Sequence, residues 1–306
     1  MSFDDQLSVG VLVGPYLYEW QVDALERLRT ENGVTIPLVV GETGTKGEND
    51  AESWNEKNRL RVGDLRQFLE VLKTEKAWSL VLAERNVAKV IGTEKETFRR
   101  HTVEGLECFD DTEFVQCSPE TNDGWTEFPE DIVARIRDCC DVVVRFGFGL
   151  VRGSILTAPR YGVLSFHPAD IRRFRGMGPP AVFHDGRTVT GSTLQRLDDS
   201  IDGGEIVAYA DIDIADCDTL WDVFDRVLSR QRGLLIEGIT NVRDPDFEPT
   251  RLTDDELGEF YYRKQRHGLA FSGRVLFKNV VGRIRRRFGT KSPSETTIEQ
   301  PSGSSE

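Results

Sequence analysis

Short apolar runs alternate along this chain with longer segments in which apolar residues recur every three or four positions. The runs are rich in Val, Leu and Ile, and each is bounded by glycine or by charged residues. Such runs are typical of buried strands in a parallel sheet. The predicted strands are residues 9–14, 36–40, 113–117, 142–144, 162–166 and 206–214.

The segments between these runs carry helical periodicity. Apolar residues at Trp20, Ala24 and Leu28 predict a helix after the first strand, and residues 129–139 and 220–239 have similar spacing. A strand, a helix and a second strand at the start of the chain predict a parallel crossover unit. The opening lacks the full Gly-x-Gly-x-x-Gly fingerprint, which argues against a nicotinamide site.

The fold class that follows is α/β, with an open, mostly parallel, Rossmann-like sheet, helices on both of its faces and a short helical C-terminal extension. We expect an α/β domain over residues 1–240 and an extension with a basic amphipathic helix over residues 241–291. Residues 292–306 are rich in Ser, Pro and Glu, which predicts a disordered tail.

Candidate chemistry follows two of these strands. Ser165 and His167 lie at the end of the apolar run 162–166, and Asp202 lies in a glycine turn before residues 206–214. In an open α/β sheet, residues just past the carboxyl ends of strands line the ligand crevice. We therefore expect His167 and Asp202 to lie close together as a catalytic pair.

Residues 108–210 resemble the formyltransferase family that uses 10-formyltetrahydrofolate. Two separated motifs carry the resemblance, a histidine followed by Arg-Gly and a Thr-Gly followed by an aspartate, and they occur in the family's order. The matching positions are His167, Arg175, Gly176, Thr190, Gly191 and Asp202.

The resemblance implies transfer of a formyl group from 10-formyltetrahydrofolate, as co-substrate, to an amine of a small anionic metabolite, with no metal. In that reaction His167 would stabilise the oxyanion and Asp202 would assist removal of the amine's proton. Ser165 stands where the family carries an asparagine, and a hydroxyl has a single proton to donate. A non-catalytic ligand-binding relative of the family is therefore one alternative.

The resemblance also implies binding residues. For the acceptor these are Arg175, Gly176 and Gln195; Arg175 is equally consistent with a solvated surface charge. The loop around residues 146–152 would hold the formyl donor, largely through its backbone, and core packing is an alternative role for at least one of its phenylalanines. The donor-site candidates are Phe146, Phe148, Gly149, Leu150 and Arg152.

Charge, apolar run length and cysteine spacing limit the partners and the compartment that we expect for this chain. The chain has 306 residues and a formal charge of -13, which suits a heavily hydrated surface and repels nucleic acid phosphates unless a local basic patch overrides it. No apolar run is long enough for a membrane span and no signal peptide is evident, so we expect a cytoplasmic enzyme. The five cysteines lack the spacing of a zinc site or a disulfide framework.

One basic patch exists near the C-terminus. As a helix, residues 270–288 would place an apolar stripe beside a row of arginines. Such a helix suits an anionic membrane surface, an RNA backbone or an acidic partner, and docking on the chain's own acidic domain is an equally good interpretation. The segment after residue 240 is shorter than the β-barrel domain that methionyl-tRNA formyltransferases add. Formylation of tRNA is therefore the second alternative and not the leading prediction.

Overall fold

The architecture was derived from a computed structural model, which describes residues 6–43, 72–90 and 95–288. The predicted disordered tail, residues 292–306, lies outside these ranges.

A seven-stranded sheet forms the centre of the protein. Its strand order is β13-β12-β10-β8-β1-β3-β5. The five strands from β10 to β5 are parallel to their neighbours, whereas β12 and β13 run antiparallel at one edge. The seven strands are β1 (Ser8–Val13), β3 (Thr35–Glu42), β5 (Glu113–Cys117), β8 (Val142–Arg145), β10 (Val163–His167), β12 (Val189–Arg196) and β13 (Glu205–Asp213).

Further short strands and helices lie around this sheet in the described residues. The short strands are β2 (Leu17–Tyr18), β4 (Arg100–His101), β6 (Glu120–Asn122), β7 (Trp125–Glu127), β9 (Leu150–Val151), β11 (Phe174–Arg175) and β14 (Glu259–Phe260). The helices are α1 (Glu19–Asn32), α2 (Trp78–Val90), α3 (Glu130–Cys139), α4 (Pro179–Asp185), α5 (Leu220–Arg243) and α6 (Leu269–Phe288).

Both faces of the sheet are buried. Alternate residues of β1 point in opposite directions, so Val9 and Val11 pack under α1 and α5, while Leu12 packs under α3. The five parallel strands therefore need apolar residues on both faces, which explains their continuous Val and Leu runs. The predicted open, mostly parallel sheet with helices on both faces is confirmed.

One strand of the sheet was missed from the sequence. The predicted strand over residues 206–214 corresponds to β13, Glu205–Asp213. β12 escaped prediction because most of its buried positions are polar, and a search for apolar runs passes over them. These buried polar residues are Thr190, Ser192, Thr193 and Gln195.

A close contact between α5 and β12 gives a stability prediction. A Cβ added at Gly238 would lie 2.3 Å from Cδ2 of Leu194, so we expect Gly238→Ala to lower the free energy of unfolding by about 1–3 kcal/mol. Gly233 lies in the same helix, and the nearest atom to its added Cβ is the flexible end of Arg230, at 3.1 Å. Gly233→Ala should therefore raise the free energy of unfolding by about 0.5–1 kcal/mol. Urea denaturation of both variants checks the pair, and equal effects would contradict the packing account.

The C-terminal helix α6 is docked on the rest of the protein. Val275, Ser272 and Asn279 are fully buried, and the Asn279 side chain accepts a hydrogen bond from the Leu220 amide at 2.8 Å. Arg283 pairs with Glu84 of α2. No helix within residues 6–43, 72–90 and 95–288 is long and apolar enough to cross a bilayer.

Candidate active site

His167 and Asp202 lie in contact at the carboxyl edge of the sheet. His167 is the last residue of β10, and Asp202 lies in the turn between β12 and β13. Nδ1 of His167 is 3.2 Å from Oδ1 of Asp202, and the imidazole is almost completely buried. The two strands and the turn thus bring together the pair that the sequence predicted.

The turn that carries Asp202 is fixed by Arg175. Its guanidinium donates to the carbonyl oxygens of Ile201, at 2.6 Å, and Asp202, at 3.1 Å. Asp202 has a φ of 50°, in the left-handed region that aspartate tolerates better than most residues. Arg175, predicted to bind the acceptor, therefore braces the turn with its backbone contacts.

Gly176 holds the other side of the Asp202 carboxylate. Its amide donates to Oδ2 at 2.8 Å, and its φ is 84°. A Cβ at this position would lie 2.3 Å from the carbonyl oxygen of Tyr261, so only glycine fits. Gly176 thus combines a left-handed backbone with a close approach.

Gln195 supports the same turn from β12. It is buried, and its side-chain oxygen accepts a hydrogen bond from the Gly204 amide at 3.1 Å. The structure therefore gathers Arg175, Gly176 and Gln195 around Asp202, where all three hold the turn.

The electrostatics of the pair favour an ionised carboxylate. Burial alone would raise the pKa of Asp202, but His167, the Gly176 amide and Arg145 together hold the pKa below its ordinary value. Nε2 of His167 donates to the Phe174 carbonyl oxygen at 2.7 Å, so with Nδ1 facing Asp202 both ring nitrogens are engaged.

Arg145 is a site residue that the sequence reasoning missed. Its Nε and Nη2 donate to Oγ of Ser165 at 3.1 and 2.7 Å, and Nη1 donates to the Gly149 carbonyl oxygen. Ser165 is 1% exposed, so the guanidinium covers the hydroxyl. The available signal was an arginine at the end of a run of valines, where a buried strand rarely carries charge.

Arg145 places a positive charge close to the His167–Asp202 pair. Among the described residues, no carboxylate lies within ion-pairing distance of its guanidinium, although Asp202 is close enough to act on it electrostatically. Burial lowers the pKa of Arg145, and Asp202 opposes that shift. An arginine remains protonated at neutral pH even so, which leaves a partly buried cation beside the His167–Asp202 pair.

Comparison with known proteins now identifies the chain's relatives. The sequence model described as formyl transferase matches residues 81–239, more than half of the chain. This protein belongs to the formyl transferase family. The match includes every residue of the site described above, from Arg145 to Gly204.

Curated relatives match a smaller part of this family member. A methionyl-tRNA formyltransferase from Agathobacter rectalis is 29% identical over 119 residues, which is 38% of each chain. One from Rickettsia canadensis is 31% identical over 102 residues, 33% of each chain. The alignments thus span between 33% and 38% of the length of these relatives.

Solved structures share the fold. A sugar N-formyltransferase from a Shewanella species superposes with a TM-score of 0.53 at 13% identity, over 89% of this chain and 87% of that one. An N-formyltransferase from Helicobacter canadensis, solved with folinic acid and dTDP-3-aminofucose, gives 0.52 at 10% identity, over 90% and 80%. At these identities the likeness concerns the fold alone.

The aromatic residues of the predicted donor loop pack within the protein. Phe148 is buried and lies 4.8 Å from the Phe128 ring, centroid to centroid. Phe146 contacts Trp20 edge to face and stacks on Phe166. Core packing, the alternative considered from the sequence, describes Phe148 fully and Phe146 in part.

In the rest of the loop over residues 146–152, Leu150 and Arg152 are engaged within the protein, and the backbone at Gly149 is exposed. Leu150 pairs with Trp125 in the small sheet of β6, β7 and β9, and Arg152 forms an ion pair with Glu127 at 2.6 Å. Gly149 has a φ of 61°, and a Cβ there would meet nothing within 4 Å. The backbone near Gly149 is therefore open, which fits a donor held mainly by main-chain groups.

A cavity of about 510 Å³ opens at the carboxyl ends of β1, β3 and β5. Gly14 and Pro15 form its edge on the β1 side, and Gln116 lines it from β5. Among the described residues that line it, Glu42 and Glu104 are the charged ones. A cavity with this lining favours a cationic or amine-bearing ligand over a phosphate.

Proposed function

We propose that this protein transfers a formyl group from 10-formyltetrahydrofolate to an amine of a small molecule. The observation that carries the proposal is the buried His167–Asp202 contact at the carboxyl edge of the sheet, inside the segment that matches the formyl transferase family. The open backbone near Gly149 supports a donor site beside it.

In the proposed reaction the amine nitrogen attacks the formyl carbon and a new C–N bond forms. The formyl oxygen gains negative charge, the attacking nitrogen loses a proton, and the bond from carbon to the donor nitrogen breaks as that nitrogen takes up a proton. Asp202, ionised and facing the crevice, is the proposed acceptor of the amine's proton. His167 fixes the orientation of its carboxylate.

We assign the stabilisation of the oxyanion to Arg145 together with His167. Both nitrogens of His167 are engaged, so the imidazole reaches a formyl oxygen only after it leaves the Phe174 carbonyl or Asp202. Arg145 needs no such rearrangement, because its three hydrogen bonds leave two of the five N–H groups of a guanidinium to donate to the formyl oxygen. In this proposal Ser165 anchors the guanidinium.

The acceptor is proposed to enter from the cavity at the ends of β1, β3 and β5. Glu42 and Glu104 would attract an amine-bearing molecule. Arg175 suggested an anionic acceptor, but its guanidinium donates to carbonyl oxygens of the Asp202 turn. The proposal therefore requires an amine on the acceptor and does not require an anionic group.

Mass spectrometry tests the proposal directly. The protein is incubated with 10-formyltetrahydrofolate and a panel of amino sugars, amino sugar nucleotides, small primary amines and aminoacylated methionine tRNA. The expected result is a mass gain of one CO on a small amine, with matching loss of the formyl group from the donor. A boiled sample controls for spontaneous transfer.

The other outcomes distinguish the alternatives. A gain on tRNA alone would support the methionyl-tRNA formyltransferase alternative, which the names of the curated relatives favour. Binding of folinic acid in calorimetry without a gain on any acceptor would support a non-catalytic ligand-binding relative. If the protein neither binds folinic acid nor transfers a formyl group, the assignment of 10-formyltetrahydrofolate as donor is wrong.

A further inference from the structure

The outward face of α6 is apolar. Phe277 is 68% exposed and Ile284 is 53% exposed, and their spacing places them on one side of the helix. Two more large side chains share this side, so we define the α6 stripe as Phe277, Val280, Ile284 and Phe288. A contiguous row of exposed large apolar residues is unusual on a folded domain and indicates an interaction surface.

The stripe is exposed although the helix itself is docked. Val275 and Asn279 bury the opposite side of α6, and Lys278 donates to the carbonyl oxygens of Phe183 and His184 at the end of α4. Packing against the body therefore fixes the rotation of the helix. The α6 stripe faces outward because the inward side is already satisfied.

The charges of α6 divide between the two sides. Arg283 and Arg286 face the body and pair with Glu84 and Asp222. Arg274 lies three residues before Phe277 and Arg287 three residues after Ile284, so both are at the margins of the stripe, and both are exposed. The helix contains no Asp or Glu, in a chain whose net charge is -13.

Residues 289–306 offer little apolar surface that could cover the stripe. Residues 289–306 contain one large aliphatic side chain, Ile298, and no aromatic residue. Burying four large side chains needs a comparable apolar surface in return. An RNA strand does not provide one for Val280 and Ile284, whereas the interfacial region of a bilayer accepts aromatic and aliphatic groups together.

We infer that the α6 stripe binds the surface of an anionic membrane. The four apolar side chains would enter the boundary between headgroups and acyl chains, and Arg274 and Arg287 would lie at the depth of the lipid phosphates. The helix would lie in the plane of the membrane, with the α/β domain held at its surface. Binding should weaken as salt screens the arginines.

Vesicle co-sedimentation of the whole protein tests this inference. Vesicles of phosphatidylcholine with about 30 mol% phosphatidylglycerol are compared with pure phosphatidylcholine at ~0.1 M salt. We expect retention on the anionic vesicles only. The triple variant Phe277→Ser, Ile284→Ser and Phe288→Ser should lower the partition coefficient at least about tenfold.

Two further variants separate membrane binding from misfolding. Arg274→Glu with Arg287→Glu changes the margins of the stripe without altering its apolar residues, and it should lower retention by a similar factor. Arg137→Glu with Arg230→Glu makes the same change in net charge at exposed positions on α3 and α5, and Val189→Ser removes an exposed apolar residue that lies outside the stripe. These controls should bind as the unmodified protein does.

Several results would overturn the inference. Equal retention on neutral vesicles, no retention on anionic ones, or equal losses in the control variants would each do so. A dimer in light scattering that the triple variant dissociates, without vesicle binding, would assign the stripe to a second copy of the chain. Because the assay needs no turnover, its outcome is independent of the proposed formyl transfer.

Discussion

Replacement of Asp202 by asparagine is expected to reduce kcat for formyl transfer by about 10²- to 10⁴-fold. The substitution keeps the size of the side chain and removes its negative charge. It removes the proposed proton acceptor and leaves the buried His167 facing a neutral amide. Single-turnover measurement with saturating acceptor and donor gives the rate, and folinic acid binding should change less than the rate.

Asp198 provides the matched control for this variant. It lies in the same connection between β12 and β13, and its carboxylate accepts from the Ser200 amide at 2.9 Å. Asp198→Asn removes one negative charge nearby without touching His167, so it should leave kcat within a small factor. If Asp202→Asn keeps half of the original rate, Asp202 is not the proton acceptor.

Replacement of Arg145 by methionine is expected to lower kcat by about 10²- to 10³-fold, the usual cost of losing one oxyanion donor. Methionine keeps an unbranched side chain, although a shorter one, and it cannot donate to the formyl oxygen or to Ser165. Arg145→Lys should retain part of the rate, because an ammonium keeps the charge and loses the planar donor geometry. Comparison of kcat with KM locates the effect in the transition state.

Arg196 is the control for removing an arginine near β10. It is partly buried and forms an ion pair with Glu205. In the pairing of β10 with β12, Arg196 lies across from Leu164, at the end of the ladder away from His167. Arg196→Met should lower stability and leave kcat unchanged. An Arg145→Met enzyme whose KM rises while its kcat stays constant would show that Arg145 binds substrate and transition state equally.

The sequence predicted the parallel part of the sheet because those strands are buried on both faces. Continuous runs such as residues 142–144 leave few other interpretations. β12 could not be found in this way, since its core positions carry hydroxyl and amide side chains that bond within the protein, as Gln195 does with Gly204. Buried polar strands lack a local signal, and their pairing depends on the rest of the fold.

The candidate site was predictable only in part. The meeting of His167 with Asp202 follows from the rule that strand ends line one crevice. The roles of Arg175 and Gln195 in holding the Asp202 turn depend on distances that no spacing reveals. The apolar residues of α6 were visible as a set, but only packing shows that Val275 turns inward and Ile284 outward.

Because Arg145 and Ser165 are hydrogen-bonded to each other, a substitution at either position should alter the effect of a substitution at the other. The small hydroxyl leaves the volume that the guanidinium fills, and its oxygen accepts both of the nearest N–H groups. Ser165→Asn alone would crowd that space and displace the guanidinium, so we expect it to lower the rate of formyl transfer. Effects of substitution at the two sites will be strongly non-additive.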